Sequence, residues 1–158
     1  MLIKPDYNLK NVFEINTEEL KNMGIKAILL DLDSTIMVSH SGVYSEELTQ
    51  WLKNLEKDFV ISIISNQKNQ KYIDKVKKVT WFNMIFGANK PNPKAIKEFL
   101  KEKGLKTSEA VMVGDRPLTD VVAGKLAGCK TILVGSINPK ENLPTRFVRA
   151  LERSVIRG

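Results

Sequence analysis

The sequence predicts an α/β fold, a doubly wound domain around a largely parallel, five-stranded Rossmann-like sheet. Short β-branched or aliphatic runs alternate with longer amphipathic stretches, the pattern of repeated βαβ units. Within each run the apolar residues stand together instead of alternating with polar ones, as in strands buried on both faces. Carboxylates, hydroxyls and a lysine follow the runs, at the carboxyl ends of strands, where open α/β sheets bind ligands.

Taken in order, residues 1–24 form a lead-in in which Asn16, with Glu19 three positions on, resembles a capping box and predicts a short helix. Strands are predicted over 27–32, 59–64, 84–86, 110–113 and 131–134, and helices over 45–55, 69–79, 93–103 and 118–127. Asn92 followed by Pro93 suits an N-cap and first turn, and Gly104 and Gly128 stand where helices stop. Over 144–157, Arg146, Arg149, Arg153 and Arg157 recur opposite Val148, Leu151 and Val155, which predicts a basic amphipathic C-terminal helix. No repeat, low-complexity tract or linker divides the chain, so 1–158 is expected to be one domain with its motif-bearing core over 25–135.

A chain of 158 residues, 42% hydrophobic, can bury a core without disulfides. Its formal charge of +7 favours anionic partners. Much of that charge has a plainer explanation, because Lys68, Lys71 and Lys75, and again Lys94, Lys97 and Lys101, have the spacing of solvated helix faces. Cys129 is the only cysteine, excludes an intramolecular disulfide and reads as a small buried hydrophobe. No apolar run approaches the roughly 20 residues that span a bilayer, and residues 1–10 lack a secretory pattern, so a cytoplasmic protein is expected.

Four of the predicted strand ends carry chemistry. The first run is followed by Asp31, Asp33, Ser34 and Thr35, the second by Ser65 and Asn66, the third by Lys90, and the fourth by Gly114 and Asp115 with Asp120 beyond. If the first strand continued, Asp31 and Asp33 would share one face and repel, so a cation is needed to keep both ionised. Hard oxygen ligands from Asp31 and Asp115 suit magnesium, and Lys90 offers a second positive charge. The group held between them should be an oxyanion, to which the Ser65 hydroxyl can donate. Alone, each residue is more often a turn, a cap or solvated surface. Their placement at successive strand ends is what singles them out.

The segments AILLDLDST, VISIISN, Lys90-Pro91 and VMVGDRPLTD resemble the four motifs of the haloacid dehalogenase (HAD) superfamily, over residues 25–135. The resemblance implies a HAD-like fold and a magnesium cofactor. It implies that Asp31 is the nucleophile and a metal ligand, that Asp33 is the acid/base and meets the metal through its backbone carbonyl, and that Asp115 is a further ligand. Ser65, Asn66 and Lys90 would hold the phosphoryl group, with Thr35 and Asp120 supporting. Aspartate at position 33 resembles the phosphatases and phosphomutases, which implies hydrolysis of a phosphate monoester through an aspartyl phosphate. The small size, the lead-in PDYNLKNVFEIN, the stretch GDRPLTDV and the basic end resemble the YqeG-like branch of subfamily IIIA, which is similar to phosphatases acting on phosphatidylglycerophosphate. Members of that branch usually carry Asn where this chain has Ser34, and an aromatic-containing turn where it has Val38 to Gly42.

Capped relatives insert a domain between the first and second motifs or between the second and third. Here the intervals from Asp31 to Ser65 and from Ser65 to Lys90 hold little more than a helix and a strand each, so no large cap domain is expected. An open site suits a large phosphorylated substrate. With the basic tail, it leads to an expectation of peripheral contact with anionic lipids at the inner membrane surface, and nucleic acid is not favoured.

Other classes lack their parts. A receiver domain carries its phospho-acceptor after the third strand, where this chain has no acid. Neither GxxxxGK[ST] nor GxGxxG occurs. Cys129 has Gly135 where a cysteine phosphatase needs arginine, and His40, expected on an exposed loop, is the only histidine. The alternative left open is a HAD-fold binding or assembly protein that does not turn over.

Overall fold

The computed structural model describes residues 3–138, so the predicted helix over 144–157 lies outside the described residues. Six parallel strands form one sheet: β1 Tyr7–Leu9, β2 Ala27–Leu30, β3 Val60–Ile64, β4 Asn83–Ile85, β5 Ala110–Gly114 and β6 Lys130–Val134, in the order β1-β6-β5-β2-β3-β4. The winding runs outward from β2 through β3 to β4, then returns to the other side of β2 and runs outward again through β5 to β6. The reversal falls between β2 and β5, the topological switch point beside which such sheets bind ligands. Register sets the site level: Leu30 stands opposite Ile63 on one side and Val113 on the other, so β2, β3 and β5 deliver their next residues to one edge.

Among the described residues five α-helices cover the sheet: α1 Thr17–Asn22, α2 Glu46–Leu55, α3 Gln70–Val79, α4 Lys94–Glu102 and α5 Val122–Ala127. Alternation along β2 decides which core each side chain joins. Ile28 and Leu30 pack with Leu20, Leu48, Leu52 and Val76 of α1 to α3, while Ala27 and Leu29 pack with Ile96, Phe99, Leu100 and Ala123 of α4 and α5. Both faces are therefore buried, as the unbroken apolar runs require. Cys129 is buried in the second core, and burial pushes its thiol up to about 12. The six lysines read as solvated faces, Lys68, Lys71, Lys75, Lys94, Lys97 and Lys101, are exposed.

Local chemistry places most boundaries as expected. Ser45 and Asn69 cap α2 and α3 by accepting from Leu48 N and Tyr72 N, and Gly104 and Gly128 take left-handed φ of 69° and 91°. Asn16 accepts from Glu19 N, but Glu19 turns its carboxylate to the Tyr7 hydroxyl at 3.0 Å, so only half of the expected capping box forms. Asn92 accepts from Lys94 N, and Pro93 takes the N-cap position, one residue later than expected.

Three expectations are corrected. The first strand ends at Leu30 and not at residue 32, because the amides of Thr35, Ile36 and Met37 all turn back to the Leu32 carbonyl. The helix expected over 118–127 opens as a π-helical turn, Pro117–Val121, before α5 begins. The sheet has six strands because β1, with no apolar run to announce it, is drawn onto β6 by Asp6. That carboxylate accepts from Thr131 N at 2.8 Å and Thr131 Oγ1 at 3.1 Å, and pairs with Lys125 at 3.1 Å.

Burial acts to raise the pKa of Asp6, but the donors of Thr131 and Lys125 outweigh it and hold the carboxyl below its ordinary value. A depressed folded-state pKa stabilises above the unfolded value and is lost as pH falls through the folded one. Thermal melts of Asp6→Ala and the native chain should therefore differ most near pH 6 and draw together as pH falls below the ordinary aspartate pKa of about 3.9.

Candidate active site

The edge above the switch point is built around one buried cation. Lys90 follows β4, and its side chain is 2% exposed. Its Nζ donates to Asp31 Oδ1 at 2.8 Å and to Asp120 Oδ1 at 2.7 Å. Burial acts to lower the Lys90 pKa, but the charges of Asp120 and Asp31 outweigh it and hold it at about 12, so the ammonium stays protonated. Burial is also the leading influence on Asp120, followed by the charge of Asp31; against the pull of Lys90 they raise it above the ordinary carboxylate value.

Each partner is fixed by its own element. Asp31 directly follows β2, its amide bonded to the Val113 carbonyl. Asp120 sits in the π-helical turn, where such irregular turns often serve function. Its Oδ2 accepts from Arg116 N at 3.1 Å while its own amide returns to the Arg116 carbonyl. Gly114 makes room for that carboxylate: a Cβ there would lie 2.1 Å from Asp120 Oδ2. Thr35, fully buried, sets its hydroxyl 3.2 Å from Asp115 Oδ1 and 3.4 Å from Asp31 Oδ2.

Asp31, Asp115 and Asp120 offer carboxylate oxygens that lie within 4.8 Å of one another. Three carboxylates against the single Lys90 ammonium leave a formal charge of −2 when all are ionised, which one divalent cation would balance. All the donors are hard oxygens, and His40 and Cys129 lie elsewhere, so the set fits magnesium and not a soft metal.

Asp31, Thr35, Lys90, Asp115 and Asp120 thus come together in one cluster. Asn66 joins it from behind: its amide donates to the Lys90 carbonyl at 2.9 Å and accepts from Lys90 N at 2.7 Å, so it positions the lysine's main chain. Ser65, at the end of β3, accepts from Gln67 N at 3.0 Å, and among the described residues its hydroxyl proton meets no acceptor. Asp33 takes a separate course. Its Oδ1 accepts from the Tyr72 hydroxyl at 2.5 Å and from His40 N at 3.2 Å. Burial, then Asp33, raises the Tyr72 pKa, so the phenol is the donor.

Tyr72 and the main chain of His40 were not singled out by the sequence, and Gly114 was named there only as part of a strand end, without its role of admitting Asp120. The glycine directly before Asp115 was a usable signal. Tyr72 looks like any apolar position of an amphipathic helix. His40 is exposed, as expected, but its ring lies 5.4 Å from that of Tyr72.

Fold and cluster fit a hydrolase of the phosphoryl-transfer kind, and comparison with known proteins supplies the family. The family model described as HAD-hydrolase-like matches residues 87–148. The chain is 31% identical to the probable phosphatase YqeG of Bacillus subtilis, over 96% of this chain and 88% of that one. It is 28% identical to phosphatidylglycerophosphate phosphatase 1 of Arabidopsis thaliana, over 98% of this chain and 47% of that protein. Among solved structures, a HAD family enzyme of Bacteroides thetaiotaomicron in a magnesium complex superimposes with a TM-score of 0.53 and 13% identity, over 78% of this chain and 98% of that one. The chain belongs to the HAD-like hydrolase family, in its YqeG-like phosphatase branch.

If Gly114 is what admits the Asp120 carboxylate, Gly114→Ala must displace it from Lys90. We expect a loss of about 1–3 kcal/mol in urea denaturation, the range of core overpacking, together with at least about tenfold lower phosphatase activity. Unchanged activity would mean that the Lys90–Asp120 contact is not needed.

Proposed function

We propose that the chain hydrolyses a phosphate monoester with magnesium, through an aspartyl phosphate formed on Asp31. The observation that carries this reading is the cluster in which Lys90 holds Asp31 while Asp115 and Asp120 stand within ligand distance of it. Asp31, Asp115 and the Asp33 carbonyl would hold the ion, with Asp120 beside them. When bound, magnesium would offset the charge of the phosphoryl oxygens and of the carboxylates.

Asp31 is fixed at both ends, by its strand amide and by Lys90, so a carboxylate oxygen can be aimed at phosphorus with little reorganisation. Attack forms the Asp31–phosphorus bond and breaks the bond to the leaving oxygen, which takes a proton from Asp33. Water then attacks phosphorus, Asp33 accepts its proton, and the Asp31 carboxylate is released. Lys90 and the free Ser65 proton are suited to the phosphoryl oxygens.

For the substrate we propose the phosphomonoester head group of a membrane lipid, met at the cytoplasmic face of the inner membrane. The likeness to the Arabidopsis phosphatidylglycerophosphate phosphatase supports this. So does the short connection between β2 and α2, which among the described residues leaves the site without a cap, and an apolar groove of about 510 Å³ bordered by Ile36, Met37, Val38, Val43 and Tyr44 of that connection. Among the described residues no helix is long and apolar enough to cross a membrane.

Asp31→Asn should lower phosphate release by a factor of 10³ or more, about 4 kcal/mol of barrier, in a chain that melts like the native one. A chelator should abolish turnover and added magnesium restore it; turnover unaffected by either change would refute the mechanism. Phosphatidylglycerophosphate in anionic vesicles should be hydrolysed faster than soluble sugar phosphates, and the reverse order without vesicle binding would refute the substrate assignment.

A further inference from the structure

The second carboxylate of the DxD motif is held by a side chain from another element. Tyr72 lies on α3, is 8% exposed, and directs its hydroxyl at Asp33 Oδ1. The amide of His40 reaches the same oxygen, and the His40 ring rests on the Tyr72 ring. Asp33 Oδ1 is thus bonded from two sides, whereas among the described residues no donor meets its Oδ2. Two donors on one oxygen fix the plane of the carboxylate and leave the other oxygen as the one that can exchange a proton. We propose that Tyr72 is a positioning residue for the reaction, pinning Asp33 so that Oδ2 is presented to the leaving oxygen and then to the attacking water.

This rests on the phosphatase reading and adds a residue to it. An alternative use of Tyr72, as plain core, is countered by its hydroxyl: a buried phenol needs a partner, and this one finds it in the acid/base and not in a main-chain carbonyl. The same hydroxyl also lies 3.3 Å from Met37 Sδ, so the turn over 33–40 closes on Tyr72 from several sides. Its single proton goes to the carboxylate, the stronger acceptor.

Tyr72→Phe keeps the ring, its contact with His40 and its burial, and removes only the hydroxyl. Two substrates read the effect: glycerol 3-phosphate, whose alkoxide must be protonated to leave, and p-nitrophenyl phosphate, whose phenolate leaves without help. With magnesium, kcat/KM for the first should fall about tenfold or more, a part of the 10²–10⁴ that a general acid contributes. For the second it should change far less, and the melting temperature should stay close to that of the native chain. In the Asp33→Asn background, Tyr72→Phe should cost nothing further, since a residue acting through Asp33 has nothing left to position. Equal losses on both substrates, or full additivity with Asp33→Asn, would assign Tyr72 to packing and overturn the proposal. A native chain active on both esters beside a fully active Tyr72→Phe would overturn this inference alone. A native chain active on neither would overturn the phosphatase reading and this one with it.

Discussion

Lys90 carries a full charge into a place almost closed to water, and the neighbourhood is arranged around that fact. Burying an unpaired ammonium would cost several kcal/mol, so the carboxylates that meet it have to be in place whenever the chain is folded. They come from the end of β2 and from the turn after β5, which makes the site a direct consequence of sheet order: pairing β2 with β5 at the switch point brings residues far apart in sequence level with each other. Asn66 fixes the main chain of the lysine from β3, so three strands and the segment after a fourth meet at one cation. With all three carboxylates ionised the cluster carries surplus negative charge, which a divalent cation could balance.

How much of this could be read beforehand depends on what kind of signal each part leaves. Buried parallel strands leave continuous apolar runs, so five of the six strands were legible, while β1 is three residues long and depends on a contact between Asp6 and Thr131 that spans most of the chain. Asp31, Lys90, Asp115 and Asp120 were legible because strand-end polar residues have few other reasons to recur in that order. What was not legible was which atoms each side chain spends on its neighbours. Asn66 was expected on the phosphoryl group, yet both ends of its amide serve the Lys90 main chain, and no spacing rule distinguishes the two uses. The pairing of Asp33 with Tyr72 escaped for a similar reason, since a tyrosine on the apolar face of a helix carries the same pattern as core.

Position 34 shows how a departure from the branch pattern can be absorbed. Its φ of 71° lies in the left-handed region, which asparagine and glycine enter more easily than serine. Ser34 nevertheless donates its amide to the Met37 carbonyl, accepts Ile137 N on its own carbonyl, and holds Asn138 Nδ2 at 2.7 Å on its hydroxyl. Asn138 in turn accepts from Ser39 N, so an amide at the end of β6 braces the turn from outside. The backbone cost of about 1–2 kcal/mol for a left-handed residue is thus offset by bonds that the longer asparagine side chain would have to make differently.

The two carboxylates of the DxD pair would sit on one strand face if β2 continued, and would then compete for the same cations. Ending the strand at Leu30 and folding the next residues back onto the Leu32 carbonyl separates them. Asp31 is left to Lys90 and to the acidic cluster, Asp33 to Tyr72 and the main chain of His40. Their surroundings are therefore opposite in kind: one carboxylate faces a permanent positive charge, the other a phenol hydroxyl and a main-chain amide, both neutral donors. The proposed mechanism asks different work of two carboxylates only two residues apart, and the turn gives them different neighbours by geometry, without any change in residue type.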